Sequence, residues 1–296
     1  MSDQTEQTSA RPVRLGVRKT YKLYIGGAFP RSESGRSYPV YAPDGTLLAH
    51  AAAASRKDLR DAVVAARSAL AGWSGATAYN RGQILYRIAE MLEGRREQFA
   101  AEVDDAEGVG PAAARSQVDA AIDRWVHYAG WADKYAQVVG ATNPVAGPYF
   151  AFSLPEPTGL VGILAPQKSS LLGFVSVLAP VLTTGNTAVV VAAEDRPLPA
   201  VSLAEVLATS DLPGGVVNLL TGLTAELAPW LAGHRDVNAL DLTGTAPEAR
   251  TDLRAAAAEN VKRVFVPRTF DWSTAPGLTR LSAFVETKTV WHPIGV

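Results

Sequence analysis

Four short polar stretches, each following an apolar run, carry residue types that bind phosphates and nucleotides. They read APQKSS, AAEDRP, TGLT and TGTA, at residues 165–170, 192–197, 221–224 and 243–246. The two Thr-Gly pairs supply small residues and open backbone amides, as phosphate-binding loops do. Because neither GxGxxG nor GxxxxGK[ST] occurs, and because Thr-Gly is also a common turn, these residues alone leave nucleotide binding and a simple turn both open.

Other kinds of catalytic centre have little support in the sequence. The 296 residues include no cysteine, which excludes disulfides, thiolate metal sites and a thiol nucleophile. The histidines show no spacing typical of metal ligands; they are His50, His127, His234 and His292. Ser169 and Ser170 follow an apolar run, but QKSSL lacks the GxSxG pattern of a nucleophile elbow.

Composition indicates a globular protein without a strongly charged surface. The apolar fraction is 47% and the charged fraction is 19%, as in an ordinary globular protein. The net charge of −1 gives no electrostatic field that would attract nucleic acid or an anionic membrane. The N-terminal stretch has no apolar core typical of a signal peptide. The apolar stretch 171–182 is shorter than a membrane span and contains Pro180. We therefore expect no nucleic-acid or membrane partner, and a cytoplasmic location.

Five short apolar runs alternate with helical segments from Leu160 onward, and this pattern determines the predicted fold class. The runs are LVGIL, TAVVV, VVNLL, NALDL and KRVFV. Alternating strands and helices predict a parallel sheet with right-handed crossovers, and near-continuous apolar strands indicate burial on both faces. The prediction is an α/β, Rossmann-like doubly wound parallel sheet of about five strands. Ligands of such sheets bind beyond the carboxyl ends of the strands, where the four polar stretches lie.

The N-terminal half is predicted to hold a flexible arm over residues 1–20, short strands with a turn at Asp44-Gly45, and three helices. Ser55 with Asp58 forms a capping-box pattern before the first helix. The other two helices are predicted over residues 80–100 and 118–139. The last one carries the aromatic residues of WVHYAGW; at helical spacing these favour core packing over a binding stripe.

Several motifs, taken together and in order, resemble the aldehyde dehydrogenase superfamily. They are KLYIGGAF, PTGLVGILAP, LAPVLTTGNTAVV, LPGGVVNLLTG and DLTGTAPEAR, and they cover roughly residues 20–266. This region resembles the family's cofactor-binding domain, and LSAFVETKTVW resembles its C-terminal oligomerisation strand. The resemblance implies domains at 21–266 (with a flap strand at 149–158) and 283–296. Residues 267–282 would then form a linker in place of the family's catalytic domain.

The resemblance also implies which chemical groups this chain has and which it lacks. Members of the family oxidise aldehydes with a cysteine thiolate, an oxyanion-binding Asn, a general-base Glu and NAD(P). Lys168 and Pro267 fall at the positions of the Asn and the Glu, and Val191 falls at that of a Lys that binds the ribose. The matching residues that could still bind a cofactor are Pro166, Glu194, Thr243, Gly244 and Thr245. For Glu194, a solvated loop carboxylate is the alternative interpretation.

The C-terminal segment alternates like a strand and needs a partner for its backbone amides. The resemblance implies that it and the flap strand YFAFSL associate with another subunit; folding back on its own sheet is the alternative. The residues predicted for this oligomerisation surface are Phe150, Phe152, Phe284, Val285, Thr287, Thr289 and Trp291.

We therefore expect a pseudoenzyme that forms a homo- or hetero-oligomer, the latter with a full-length aldehyde dehydrogenase. No cofactor is required on this hypothesis, and NAD or NADP would bind weakly or not at all. The alternatives are an NAD(P)-binding module without turnover, an aldehyde oxidoreductase with a non-cysteine mechanism, and a decayed gene product.

Overall fold

The computed structural model describes Val17, residues 19–267 and residues 271–295. The predicted N-terminal arm lies outside the described residues except for Val17, Lys19 and Thr20. The strands are β1 (Thr20–Tyr21), β2 (Ser37–Tyr41), β3 (Leu47–Ala52), β4 (Ala141–Asn143), β5 (Tyr149–Pro157), β6 (Leu160–Leu164), β7 (Thr187–Val191), β8 (Val217–Leu220), β9 (Ala239–Asp241), β10 (Arg263–Phe265) and β11 (Val285–Pro293).

The helices surround these strands. They are α1 (Arg56–Gly75), α2 (Ala78–Glu93), α3 (Arg96–Glu107), α4 (Pro111–Trp131), α5 (Tyr135–Val139), α6 (Leu172–Thr183), α7 (Leu198–Ala208), α8 (Thr224–Gly233), α9 (Arg250–Ala258, after a 3-10 turn at Pro247–Ala249) and α10 (Thr279–Ala283). Among the described helices, none is both long and apolar enough to cross a membrane.

Across the described part of the chain, the five predicted apolar runs form one parallel sheet in the order β10-β9-β6-β7-β8. Val161 of β6 pairs with Ala188 on one side and Ala239 on the other. Every residue of β6, β7, β8 and β9 is buried, as expected for strands covered on both faces. The predicted doubly wound α/β fold is confirmed, and the strand order reverses between β6 and β9.

Two apolar cores cover the two faces of this sheet. One packs α2, α3, α4, α6 and α7 against it, with Trp73, Trp125 and Tyr128 fully buried. The other packs α1, α8 and α9 against the opposite face. The aromatic residues of α4 are therefore core residues, as the helical spacing indicates, and Trp131 is half-buried at the edge of that core.

Two of the three predicted helices are divided in the structure, and one predicted capping motif is present. Ser55 and Asp58 make both hydrogen bonds of the capping box at the start of α1. The segment 80–100 breaks at Gly94, which ends α2, before α3 begins at Arg96. The segment 118–139 divides into the end of α4 and α5. The helix α4 starts earlier than predicted, at Pro111, where proline suits the first helical turn.

A smaller antiparallel sheet has the order β11-β5-β4. The prolines of YFAFSLPEPTG, residues 149–159, predict an edge or protruding strand, but β5 is the central strand of this sheet. The reason is that β4 is only three residues long and pairs with β5 over Ala151–Ser153. Pro155 and Pro157 therefore pair only with β11, on the other side of the strand.

The residues predicted for oligomerisation divide into an exposed and a buried group. Phe150 and Trp291 are about half exposed, and Thr287 and Thr289 are exposed, whereas Phe152 is half-buried. Phe284 and Val285 are buried inside this chain. The Phe284 ring packs 6.0 Å from that of Phe265, so neither of these two residues contributes to an exposed surface.

A buried side-chain amide helps to attach the C-terminal segment to the large sheet. The Asn186 side chain accepts from the Gly159 backbone N–H at 2.7 Å and donates to the Phe284 carbonyl at 2.8 Å. Asn186 is fully buried. This one side chain therefore joins the start of β6 to the start of β11.

We expect Asn186→Ala to destabilise the chain by about 2 kcal/mol or more, because it leaves the Gly159 N–H without a partner and removes one of the two hydrogen bonds to the Phe284 carbonyl, which keeps only that from the Thr158 N–H. Urea denaturation followed by circular dichroism measures the loss. Asn80→Ala is the matched control, since Asn80 is exposed on α2. Equal stability of the two variants would contradict the role given to Asn186.

Candidate functional site

A cavity of about 640 Å³ lies at the carboxyl ends of the large sheet, where the strand order reverses. We call this cavity the crevice. Its walls are the loop after β6 and the N-terminal turns of α8 and α9. The structure brings together all five residues predicted to bind a cofactor, and each of them lines the crevice; they are Pro166, Glu194, Thr243, Gly244 and Thr245. Their convergence follows from parallel strands that end at one edge.

Glu194 is tied to the helix beside it rather than left in solvent. Its Oε2 accepts from the backbone N–H of Thr224 at 2.9 Å, at the positive N-terminal end of α8. Its own backbone N–H donates to Gln167 Oε1 at 2.9 Å, and its carbonyl accepts from the Tyr38 hydroxyl at 3.2 Å. Burial and the Glu194 charge raise the pKa of Tyr38, so this hydroxyl stays a donor.

The loop after β9 supplies three residues with different roles. The Thr243 hydroxyl donates to Asp241 and accepts from Arg280 at 3.0 Å, so both its donor and an acceptor position are already occupied by hydrogen bonds within the protein. Gly244 packs so tightly that a Cβ would lie 1.8 Å from the Ala165 carbonyl oxygen. Thr245 is 6% exposed, and its hydroxyl has no hydrogen-bond partner among the described residues. Among the described residues, the Thr245 hydroxyl is therefore buried at the crevice wall with its hydrogen-bonding capacity unused.

Two further polar atoms at the crevice also have no partner in the described part of the protein. They are the Thr224 hydroxyl and Nε of Arg250, at the first residues of α8 and α9. The sequence motifs did not single out either residue. Their place in the sequence could have indicated them, since each is the first residue of a helix that follows a strand of the large sheet.

A buried ion pair links the segment after β10 to the end of β9. Arg280 donates to Asp241 Oδ2 at 2.8 Å, and the Asp241 side chain is fully buried. Burial raises the pKa of the Asp241 carboxyl, while the Arg280 guanidinium and the Thr243 hydroxyl and amide oppose that rise. Sequence reasoning missed this pair, although a lone carboxylate in the apolar run NALDL signals a buried partner.

Trp272 lies on one wall of the crevice and also lines a second cavity of about 480 Å³. We call this second cavity the inner compartment; its wall includes Arg124, Pro267 and Arg280. Arg124 donates to the carbonyl of Trp272 at 2.7 Å, and the Arg280 guanidinium lies 5.3 Å from the indole centre. Trp272 therefore lines both cavities, and it contacts Arg124 through its backbone carbonyl and Arg280 through its ring.

The residues predicted from the resemblance to stand at catalytic and ribose-binding positions are spread over different environments. Lys168 is exposed at the rim of the crevice, and its carbonyl accepts from Arg196 at 3.1 Å. Val191 is buried in β7, and Pro267 lines the inner compartment. None of these three side chains presents a carboxylate or a fixed amide to the crevice.

The remaining candidate groups do not form a second centre. Ser170 donates its hydroxyl to Glu107 at 2.6 Å, which is a structural contact with α3. The described residues contain no cluster of three or more histidines and carboxylates able to hold a metal ion. A larger groove of about 980 Å³ lies between α2 and α4, far in the fold from the strand ends that form the crevice.

A doubly wound parallel sheet with a crevice at its switch point defines the class of Rossmann-like nucleotide-binding folds. The model of the aldehyde dehydrogenase family matches residues 29–267. The chain therefore belongs to the aldehyde dehydrogenase family.

Individual relatives agree with this assignment. The chain is 34% identical over 252 residues to human retinal dehydrogenase 2, covering 83% of this chain and 48% of that protein. It is 33% identical over 258 residues to cytosolic 10-formyltetrahydrofolate dehydrogenase of Xenopus laevis, covering 84% of this chain and 28% of the relative. This chain thus spans about half or less of the length of these relatives.

Solved structures of similar proteins give the same fold. The HpcC protein of Thermus thermophilus superposes with a TM-score of 0.79 at 33% identity, over 83% of this chain and 47% of that one. The NAD⁺ complex of an aldehyde dehydrogenase from Bacillus cereus superposes with a TM-score of 0.78 at 28% identity, over 83% and 50% of the two chains.

On the side of α8 and α9, buried polar atoms of Thr245, Thr224 and Arg250 have no partner among the described residues. Trp272 lines both the crevice and the inner compartment. Glu194 and the loop of Gly244 and Thr245 are the residues that would hold a nucleotide cofactor in this crevice.

We expect Arg280→Ala to destabilise the chain by about 3 kcal/mol or more, because it leaves the Asp241 carboxylate buried and unpaired. Arg263→Ala is the matched control: Arg263 pairs with Glu286 at the same 2.8 Å, but both side chains are exposed by more than a third. The control should lose less than about 1 kcal/mol. Urea denaturation compares the two, and similar losses would refute the distinction.

Proposed function

We propose that this chain is a non-catalytic member of the aldehyde dehydrogenase family that associates through the β11-β5-β4 sheet. Its partner is a second copy of itself or a full-length aldehyde dehydrogenase, which it supports as a structural or regulatory subunit. The observation that carries the proposal is the absence of any cysteine from the 296 residues. A thiolate forms the covalent intermediate in the family's chemistry, and no other residue of this chain matches that role.

The residues around the crevice support loss of catalysis. Lys168 replaces the amide that would stabilise an oxyanion, and a flexible ammonium is not a preorganised donor. Pro267 stands where the general base belongs and has no group that accepts a proton. The chain passes from β10 to β11 through residues 266–284 only. This length is too short for a separate catalytic domain.

The small sheet supports the association. Phe150 is 48% exposed and Trp291 is 58% exposed, and they lie on opposite faces because Phe150 pairs with His292 and Trp291 pairs with Ala151. Within the described residues, β11 pairs with β5 alone, so its outer edge has backbone groups available to another chain. Exposed aromatic residues beside an open strand edge are typical of an interface.

The absence of cofactor turnover and a cytoplasmic location are further parts of the proposal. The net charge of −1 gives no reason to propose nucleic acid or a membrane as the partner. A full-length relative is the favoured hetero-partner because its own small sheet would present the same kind of edge.

Replacing both exposed aromatic residues should weaken the association. We expect Phe150→Ser with Trp291→Ser to raise the dissociation constant by about 30-fold or more, since the loss of a single aromatic hot spot worth about 2 kcal/mol already gives that factor. Sedimentation velocity at micromolar concentration measures the change. Tyr79→Ser is the matched control, because Tyr79 is 67% exposed on α2, outside the small sheet.

The proposal requires that the unmodified chain sediments as a dimer or larger species, or does so when mixed with a full-length relative. A chain that stays monomeric in both conditions would contradict it.

A second candidate function is nucleotide binding without turnover, favoured by the convergence of Glu194, Gly244 and Thr245 at the crevice, where some buried polar atoms have no partner among the described residues. Such a module would need the crevice but not the missing catalytic groups. It is compatible with association through the small sheet, because the crevice and the sheet use different residues.

The purified chain should produce no NADH or NADPH from aldehydes, because neither the nucleophile nor the base is present. Absorbance at the wavelength of the reduced cofactor follows the reaction with short, long and aromatic aldehydes. A full-length aldehyde dehydrogenase assayed in parallel is the positive control. Turnover by this chain above the uncatalysed rate would overturn the non-catalytic assignment.

A further inference from the structure

Arg124 is a nearly buried cation whose charge is not balanced by a carboxylate of the described residues. It lies on α4 with 8% of its surface exposed. Its two hydrogen bonds run from Nη2 to the carbonyls of Trp272 and Thr274, at 2.7 and 3.2 Å. Carbonyl groups carry no net charge, so these bonds hold the guanidinium in place without neutralising it. A buried charge of this kind is costly unless an anion pairs with it.

The other charged and titratable groups near Arg124 do not provide that anion. Arg280 is a second cation on the wall of the inner compartment, and Asp241 matches its charge at 2.8 Å. The Tyr128 hydroxyl keeps its proton at neutral pH, because burial raises the pKa of Tyr128 to about 12. Among the described residues of this region, the buried charges of Arg124, Arg280 and Asp241 therefore leave one positive charge unmatched.

The Arg124 guanidinium can still donate hydrogen bonds into the inner compartment. Both of its hydrogen bonds start at Nη2, so Nε–H and the Nη1 hydrogens have no partner within the described residues. These nitrogens are not among the fully enclosed atoms without a partner in that part of the chain. Because Arg124 lines the compartment, an ionised oxygen acceptor there would form charge-assisted hydrogen bonds with it.

The charges on the wall favour an anion with a single negative charge. One unmatched cation balances a monoanion, whereas Asp271 on the same wall repels a second negative charge. The Asp271 carboxylate accepts from the backbone N–H and the hydroxyl of Ser273, at 2.9 and 2.7 Å. These bonds lower the pKa of Asp271, so it stays ionised at neutral pH. A carboxylate therefore suits the compartment better than a phosphate.

The size and the lining of the compartment indicate the rest of the ligand. A cavity of about 480 Å³ has room for a small organic molecule and not only for an inorganic ion. Phe265, Trp272 and Pro276 give its wall apolar surface. The two aromatic rings lie 5.0 and 5.3 Å from the Arg280 guanidinium, which helps to fix them. An acid with an apolar body would bury that body against these rings.

We propose that the inner compartment binds a small monocarboxylic acid with an apolar body. The carboxylate pairs with Arg124, and the body packs against Phe265 and Trp272. Arg124 lines the inner compartment and not the crevice, and it lies outside the small sheet. The site is therefore independent both of nucleotide binding and of the proposed association.

Isothermal titration calorimetry of the purified full chain tests the site. Benzoate and hexanoate are the probes, benzamide and hexanamide are their neutral analogues, and inorganic phosphate is the alternative anion. At least one of the two acids should bind tenfold or more tightly than its own amide and than phosphate. The absence of heat from both acids at millimolar concentration would overturn the proposal, and so would equal or tighter binding of phosphate or of the amides.

Variants of Arg124 test where the acid binds. Arg124→Gln should weaken its binding at least tenfold, because a neutral side chain cannot balance the carboxylate. Arg124→Lys keeps the positive charge and should bind within about fivefold of the unmodified chain, which a merely structural role of Arg124 would not produce. Arg115→Gln is the matched control, since Arg115 is exposed on the same helix and pairs with Glu97 at 3.1 Å.

Ala275→Trp is the second variant if Arg124→Gln does not fold. Ala275 is exposed and lines the inner compartment, so a large side chain there fills the cavity without disturbing the buried core. It should also lower the affinity for the acid at least tenfold. An unchanged affinity in Arg124→Gln or in Ala275→Trp would place the acid elsewhere and refute the proposal.

Discussion

A buried carboxylate at the carboxyl end of β9 needs a cation, and much of the site depends on how this chain supplies one. Arg280 reaches Asp241 from the segment that follows β10, at 2.8 Å. The pair fixes the segment against the edge of the sheet, since Leu281 beside it is also fully buried. Asn186 then holds the carbonyl of Phe284, so β11 starts next to the end of β5 and pairs with its full length.

The same attachment shapes the crevice. Trp272, in the segment after β10, lines the crevice as well as the inner compartment. The loop after β9 adds a tightly packed glycine at Gly244 and, at Thr245, a buried hydroxyl with no partner among the described residues. The segment that follows β10 thus contributes to the crevice and also leads into the small sheet.

The sequence was sufficient to predict the large sheet and the position of the crevice, because both depend on local patterns. Five apolar runs alternate with helical segments, and the loops after parallel strands must converge at one edge. The contacts of Trp272 and Arg280 could not be predicted, since their segment has no periodicity and Arg280 meets Asp241 across 39 positions of the chain. The break at Gly94 was also missed, because the apolar face continues on both sides of it.

Residues 271–293 fold back on this chain and complete the small sheet, and the arrangement of the site and of the proposed association surface depends on this return. Hydrogen–deuterium exchange of peptides covering 279–293 in the purified protein measures this most directly. We expect the β11 amides that bond to β5 to exchange at least about a hundredfold more slowly than in an unstructured peptide, the slowing that a local opening free energy of about 3 kcal/mol produces. Exchange of these amides at the rate of an unstructured peptide would contradict the account.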